Sequence, residues 1–295
     1  MAQVQGAIGD KLSEADRIAI TALATAGMYN AIEIYVLIFT TFRRRRGRYF
    51  WSMLVANTGI LFHACGGLGR FLQPHKTPIP GSFAHVGWYM MVTGQSVVMW
   101  SRLHLVVYNR LTIKLVLAMI ITTVCLVHLP QTVLFSLVWS GIDTPAWTKR
   151  FSVFEKVSLM VFTVQETIIT AIFVRMGFHN FKSLFEFKGR EAKVLLGYLV
   201  AMFVLVFLLD TALCVLEYMD FFVFQTTSKP LVYSIKLKVE FAVLNKLLAF
   251  TRMSSCNNCH GLEDLAVANQ PKSSTLNTSL VTDAATTTAV ERPHE

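Results

Sequence analysis

Residues 88–108, WYMMVTGQSVVMWSRLHLVVY, decide how the chain is read. The stretch is long and apolar enough to cross a bilayer as one helix, for which roughly 20 residues suffice. It nonetheless carries Gln95, Ser96, Ser101, Arg102 and His104. In hydrocarbon an unsatisfied polar group costs several kcal/mol, so these side chains must face other helices or a wet cavity. Ser96 and Ser101 are ordinary packing residues between membrane helices, whereas Gln95 and Arg102 are candidates for function. The segment is the third apolar run in the chain, and in a seven-helix bundle the third helix is usually the most enclosed.

Working outward, the composition fits the same class. A mean hydropathy of +0.50, with 54% hydrophobic and 15% charged residues, is that of a membrane protein rather than a soluble one. The net charge of +9 does not point to nucleic acid, because the basic residues sit in short turns between apolar runs, where they set topology. Five cysteines, Cys65, Cys125, Cys214, Cys256 and Cys259, are scattered and imply no disulfide framework. Walker, dinucleotide and metalloprotease motifs are missing, so neither a cofactor nor a metal is expected.

Apolar runs at 18–42, 49–72, 88–108, 115–139, 152–175, 192–216 and 231–250 predict an all-α, seven-transmembrane helix bundle over residues 18–250. A polar segment, 1–17, precedes it. The segment lacks the basic start and short apolar core of a cleavable signal and is expected to stay on the chain. A Ser/Thr/Asn/Ala-rich tail, 251–295, follows and is expected to be disordered. The cluster Arg43, Arg44, Arg45, Arg46 and Arg48 places the first inner loop in the cytosol, which puts the N-terminus in the lumen and the tail in the cytosol. A multi-pass protein of the endoplasmic reticulum is the expectation. Pro230 is expected to precede the seventh span, in which Lys236 and Glu240, four apart, are placed to pair on one face. The run Cys256-Asn257-Asn258-Cys259-His260 has haem-attachment spacing but lies in the polar tail, where palmitoylation or no role is expected.

Most intramembrane polar residues fall in the central and lumenal half of the spans. Glu33, Glu166 and Asp210 are the candidate catalytic acids, as proton donor or supporting base. Glu33 leads because no Lys or Arg lies within one turn of it, so nothing local holds it ionised. Tyr29, Asn30, His63, Gln95, Trp100 and Arg102 are candidates for binding substrate, and Tyr29, Asn30 and Gln95 for orienting Glu33. The alternative is mutual pairing, of Glu33 or Glu166 with Arg102 or a histidine and of Asp210 with Lys236 or Lys238.

Tyr29-Asn30-Ala31-Ile32-Glu33, Tyr49-Phe50-Trp51-Ser52, Val92-Thr93-Gly94-Gln95-Ser96, Ser101-Arg102-Leu103-His104-Leu105, Glu155-Lys156 and Gln165-Glu166 resemble a family of fungal heptahelical integral membrane proteins over roughly residues 20–250. That neighbourhood is similar to the membrane-bound terpene cyclases of meroterpenoid biosynthesis, of the ascofuranone type. The resemblance implies an epoxide-bearing farnesyl-phenol substrate; membrane lipid and other enzymes of a biosynthetic pathway are the further partners expected.

Two functions follow as expectations. The first is an isomerase that protonates the epoxide of a lipophilic prenylated aromatic and closes an ether ring by general acid catalysis in a site that excludes water. The second is a heptahelical receptor or sensor, suggested by the topology, by Arg102 near the inner end of span three and by the basic inner loops. A retinal pigment would require a lysine deep in span seven, whereas Lys236, Lys238 and Lys246 are read toward its ends.

Overall fold

The computed structural model describes residues 13–42, 47–72, 79–107, 109–139, 144–182, 189–219 and 222–268. Among these there are seven helices and no strand: α1 (Glu14–Thr41), α2 (Arg48–Leu72), α3 (Ile79–Val106), α4 (Arg110–Trp139), α5 (Thr144–Lys182), α6 (Gly189–Tyr218) and α7 (Phe222–Ala268). Their number and order match the seven apolar runs. The start of α1 is fixed by a capping box, in which the Ser13 hydroxyl accepts from the Ala15 amide and Asp16 accepts from the Ser13 amide. The Arg43–Arg46 cluster, the 73–78 connection and residues 269–295 lie outside the described residues.

Four helices, α1, α4, α5 and α6, contain segments long and apolar enough to cross a membrane by length and composition. They are clad in exposed apolar side chains such as Val36, Leu115, Leu126, Leu129, Val164 and Leu208. The interior, by contrast, holds Asn57, Gln95, Arg102, Glu166, Asp210, Lys229, Lys236 and Glu240, all buried. A soluble domain has the opposite distribution, and apolar outside with ions inside is what hydrocarbon solvent selects. Helices α2, α3 and α7 are also long, and they carry six of those eight polar residues.

Side-chain contacts give the relative directions. Ser96 meets Gln165 and Met99 meets Thr170, so α3 and α5 run the same way. Glu155 meets Lys229 and Glu166 meets Lys236, so α7 runs with α5. Thr163 meets Cys214 while Glu166 and Asp210 share Lys236, so α6 runs against them. Asn30 meets Ser234 and Glu33 meets Lys238, so α1 runs with α7 and the odd-numbered helices are mutually parallel, as in an up-and-down bundle. Helices α2 and α3 are the closest pair. A Cβ on Gly59 would lie 2.8 Å from the Gly87 carbonyl oxygen, and one on Gly87 would lie 2.9 Å from that of Gly59, so the two backbones touch where side chains are missing.

The last helix departs from expectation at both ends. It begins at Phe222 and runs through Pro230 instead of starting after it. Proline lacks the N–H that would bond the Thr226 carbonyl, and His63 Nε2 stands 3.2 Å from that freed oxygen. With the ring proton on Nε2, a neighbouring helix repairs the break. Beyond residue 250 the chain forms a second unit, which is helical through Ala268 where a disordered tail was expected.

Candidate functional site

Because α7 starts earlier than the sequence implies, Lys229, Tyr233, Lys236 and Glu240 fall at spacings of three and four on one buried stripe. Each ion on the stripe meets a partner from a different level of the bundle. The span from Lys229 to Glu240 is about 16 Å of helical rise at 1.5 Å per residue.

At the first level Lys229 Nζ lies 3.0 Å from Glu155 Oε1 of α5 and 5.9 Å from the Trp88 ring centroid. A polar cavity of about 40 Å³ opens here, lined among others by His63, Arg70, His85, Gln131, Glu155 and Lys229. His63 Nδ1 is 2.8 Å from the Ala84 carbonyl, so both of its ring nitrogens face carbonyl oxygens. Neutral imidazole donates to only one of them. Gln131 accepts the Ser158 hydroxyl at 2.9 Å. His85 and His128 belong to an adjoining aromatic set, in which the Tyr89 hydroxyl is 2.6 Å from His85 Nε2 and donates to the His128 carbonyl.

At the second level Lys236 Nζ donates to Glu166 Oε2 at 2.7 Å and to Asp210 Oδ1, and it sits over the Tyr233 ring at 4.5 Å. All three ions are at most 3% exposed. One ammonium serves two carboxylates, which leaves one negative charge in excess. Glu166 Oε1 and Asp210 Oδ2 have no hydrogen-bond partner among the described residues. A single added proton would neutralise the set.

At the third level Arg102 Nη1 donates to the Glu240 backbone carbonyl at 2.8 Å, while its Nη2 pairs with the Glu240 carboxylate. The guanidinium lies 5.4 Å from the Phe173 ring centroid. Arg102 on α3, Glu155 and Glu166 on α5 and Asp210 on α6 are thus all tied to α7.

The expected site divides accordingly. Glu166, Asp210, His63 and Arg102 belong to the stripe, and Gln95 is buried. The pairing of Asp210 with Lys236 is found, but that of Lys236 with Glu240 is replaced by partners from other helices. Glu33 is not among the central acids. It is 46% exposed in its side chain and pairs with Lys238 Nζ at 2.6 Å, so a cation from α7 supplies the counter-charge that its own helix lacks. Asn30 accepts from the same ammonium at 2.6 Å and donates to Ser234. Tyr29 is 68% exposed, in a shallow surface groove with Arg17 and Thr21, away from the stripe. Trp100 donates its indole N–H to the Ile113 carbonyl and lines a separate apolar groove of about 600 Å³ with Trp51, Val55, Tyr89 and Val97. Lys236 lies inside α7, not near its end.

Sequence reasoning missed Lys229, His85 and Gln131 as site residues. Reading Pro230 as a helix boundary hid Lys229. Extending the three-and-four spacing backward from Glu240 through Lys236 and Tyr233 would have reached it.

A sequence-family model described as a domain of unknown function (DUF7703) matches residues 5–263. No curated protein and no solved structure matches the chain.

Proposed function

We propose that this chain, which belongs to the DUF7703 family, is a seven-span membrane receptor or sensor whose signal runs along the inner face of α7. In this reading all seven helices cross the membrane, the basic residues of 43–48 face the cytosol and the N-terminus faces the lumen. The observation that carries it is the ion-bearing stripe, which joins a cavity at Lys229 to the Arg102–Glu240 pair about 16 Å away. Paired ions in a low-dielectric interior have discrete arrangements, since a half-broken pair costs several kcal/mol, and this favours two states over a continuum. A ligand that interacts differently with the two arrangements would shift their populations. The central cluster, with its excess carboxylate, supplies a place where one proton changes the net charge.

Spin labels at positions 104 and 246, both exposed, report the α3–α7 separation beyond the Arg102–Glu240 pair. In nanodiscs, with the native cysteines replaced, wild type is expected to give two distance populations. Glu240→Gln should change their ratio by about tenfold or more, because breaking a buried pair exceeds the roughly 1.4 kcal/mol that tenfold requires. One unchanged population in both proteins would exclude the switch.

The apolar groove of about 600 Å³ favours a second reading, the membrane-bound cyclase, since it has room for a prenylated aromatic. None of Glu33, Glu166 and Asp210 lines it, which is why the sensor is preferred. Membranes containing the protein are expected to leave an epoxyfarnesyl phenol unchanged; conversion to a cyclic ether of the same mass, lost in Asp210→Asn, would reverse the preference.

A further inference from the structure

We infer that the apolar groove between α2 and α3 holds an acyl chain of one anionic phospholipid of the cytosolic leaflet, with the headgroup on Arg48, an inference that rests on the seven-span topology proposed above and not on the sensor. The groove follows the two helices. On α2 its wall is Arg48, Trp51, Ser52 and Val55, at spacings of three and four, and on α3 it runs from Trp100 back to Tyr89. The Arg48 guanidinium lies 5.6 Å from the Trp100 ring centroid, and a Cβ on Gly94 would lie 2.7 Å from the Ala56 Cα, so the helices run antiparallel with Arg48 and Trp100 at one end. From Trp100 to Tyr89 is about 16 Å of helical rise at 1.5 Å per residue. Half of a hydrocarbon core of about 30 Å is about 15 Å, so a groove that starts beside Arg48 ends near the midplane, the depth of one leaflet. Trp51 and Val55 are both exposed, which opens the groove sideways to lipid in the seven-span topology.

The polar groups along the walls are already engaged. The Ser52 hydroxyl donates to the Tyr49 carbonyl, the Thr93 hydroxyl is 2.8 Å from His128 Nε2, the Tyr89 hydroxyl donates to the His128 carbonyl and the Trp100 indole donates to the Ile113 carbonyl. Below its mouth the groove therefore asks an occupant for no hydrogen bond, which suits a hydrocarbon chain.

At the mouth the opposite holds. Among the described residues of the lining Arg48 is the only charged one, and its guanidinium has no acceptor. The Trp51 indole N–H, one turn further along, has no acceptor among the described residues either. A guanidinium is the side chain best suited to phosphate oxygens, which it meets with several N–H donors at once. The sequence sets Arg43, Arg44, Arg45 and Arg46 directly ahead of Arg48, and basic residues at the cytosolic end of a span each favour anionic lipid by about 1 kcal/mol. Net charge thus selects an anionic headgroup over a zwitterionic one.

The test is native mass spectrometry of the full chain in detergent, titrated with dioleoyl phosphatidylserine or dioleoyl phosphatidylcholine. Wild type is expected to retain one phosphatidylserine at concentrations where phosphatidylcholine is mostly lost. Arg48→Gln should weaken phosphatidylserine binding about fivefold. Val55→Trp, which puts an indole into the groove and leaves Arg48 in place, should weaken binding of both lipids. Both positions are exposed, so neither substitution reaches the core. Glycerophosphoserine, the headgroup without chains, should not displace the bound lipid. Equal retention of the two lipids by wild type overturns the inference, as does wild-type affinity in either variant or displacement by glycerophosphoserine. Val55→Cys, with the native cysteines replaced, tests the topology separately: in nanodiscs it should be protected from a membrane-impermeant maleimide. Protection without lipid retention sinks the lipid site alone, whereas labelling sinks the seven-span topology.

Discussion

Lys236→Met is expected to abolish accumulation of folded protein. The substitution removes the ammonium that lies between Glu166 and Asp210, two buried carboxylates. Removing one partner of a buried pair costs about 3–5 kcal/mol, and here the remaining like charges also repel. That loss is a large part of a total stability of about 5–15 kcal/mol. The measurement is the monodisperse fraction after detergent extraction, expected to fall more than tenfold. The triple variant Lys236→Met, Glu166→Gln, Asp210→Asn has no charge left to bury and is expected to recover folding. Asp210→Asn alone should keep or raise the thermal midpoint, because Lys236 retains Glu166 and the excess charge is gone. Wild-type yield from Lys236→Met would show that the cluster contributes nothing to the fold.

Gly59→Leu is expected to be nearly as damaging, for a steric reason. The first added atom already meets the Gly87 carbonyl and the backbone of α3, which no rotamer change relieves. Overpacking a filled interface costs about 1–3 kcal/mol, and a clash with backbone belongs at or above the top of that range. Helices α2 and α3 would have to part. That movement would also disturb His63, whose ring nitrogens reach from α2 to backbone oxygens of both α3 and α7. Gly197→Ala is the control, since an added Cβ there meets nothing within 4 Å and the change improves helix propensity. Its thermal midpoint should match or exceed wild type, whereas that of Gly59→Leu should drop by several degrees. Equal midpoints would mean that α2 and α3 are not in contact.

Much of the fold was legible because apolar runs of about 20 residues leave few options in a membrane. The seven runs at 18–42 through 231–250 became seven helices in the same order. The ends were less legible, since Pro230 carries opposite meanings on a surface and in a bundle. Proline stops a helix when nothing else takes the orphaned carbonyl, and at position 230 His63 stands ready to take it. Site residues were legible as a set of intramembrane ions, and of their pairings only that of Asp210 with Lys236 was anticipated. Glu33 looked isolated because the relevant neighbour, Lys238, is 205 positions away in the chain. Arg102 was identified from its improbable place in an apolar run, while its partner Glu240 was assigned to Lys236 by spacing along one helix. Spacing within a helix reveals which residues share a face, and only the packing of helices decides what that face meets.

With the ring proton on Nε2, the contact between His63 and the Thr226 carbonyl makes two positions, 63 and 230, answer for one hydrogen bond. An alanine at 230 would return the missing N–H to α7 and make the imidazole redundant there. With proline in place, losing the histidine takes from that carbonyl the donor that faces it. The two residues, though remote in sequence, thus form a heritable unit: lineages that give up the proline are freed to give up the histidine, while lineages that lose the histidine first pass through a less stable protein.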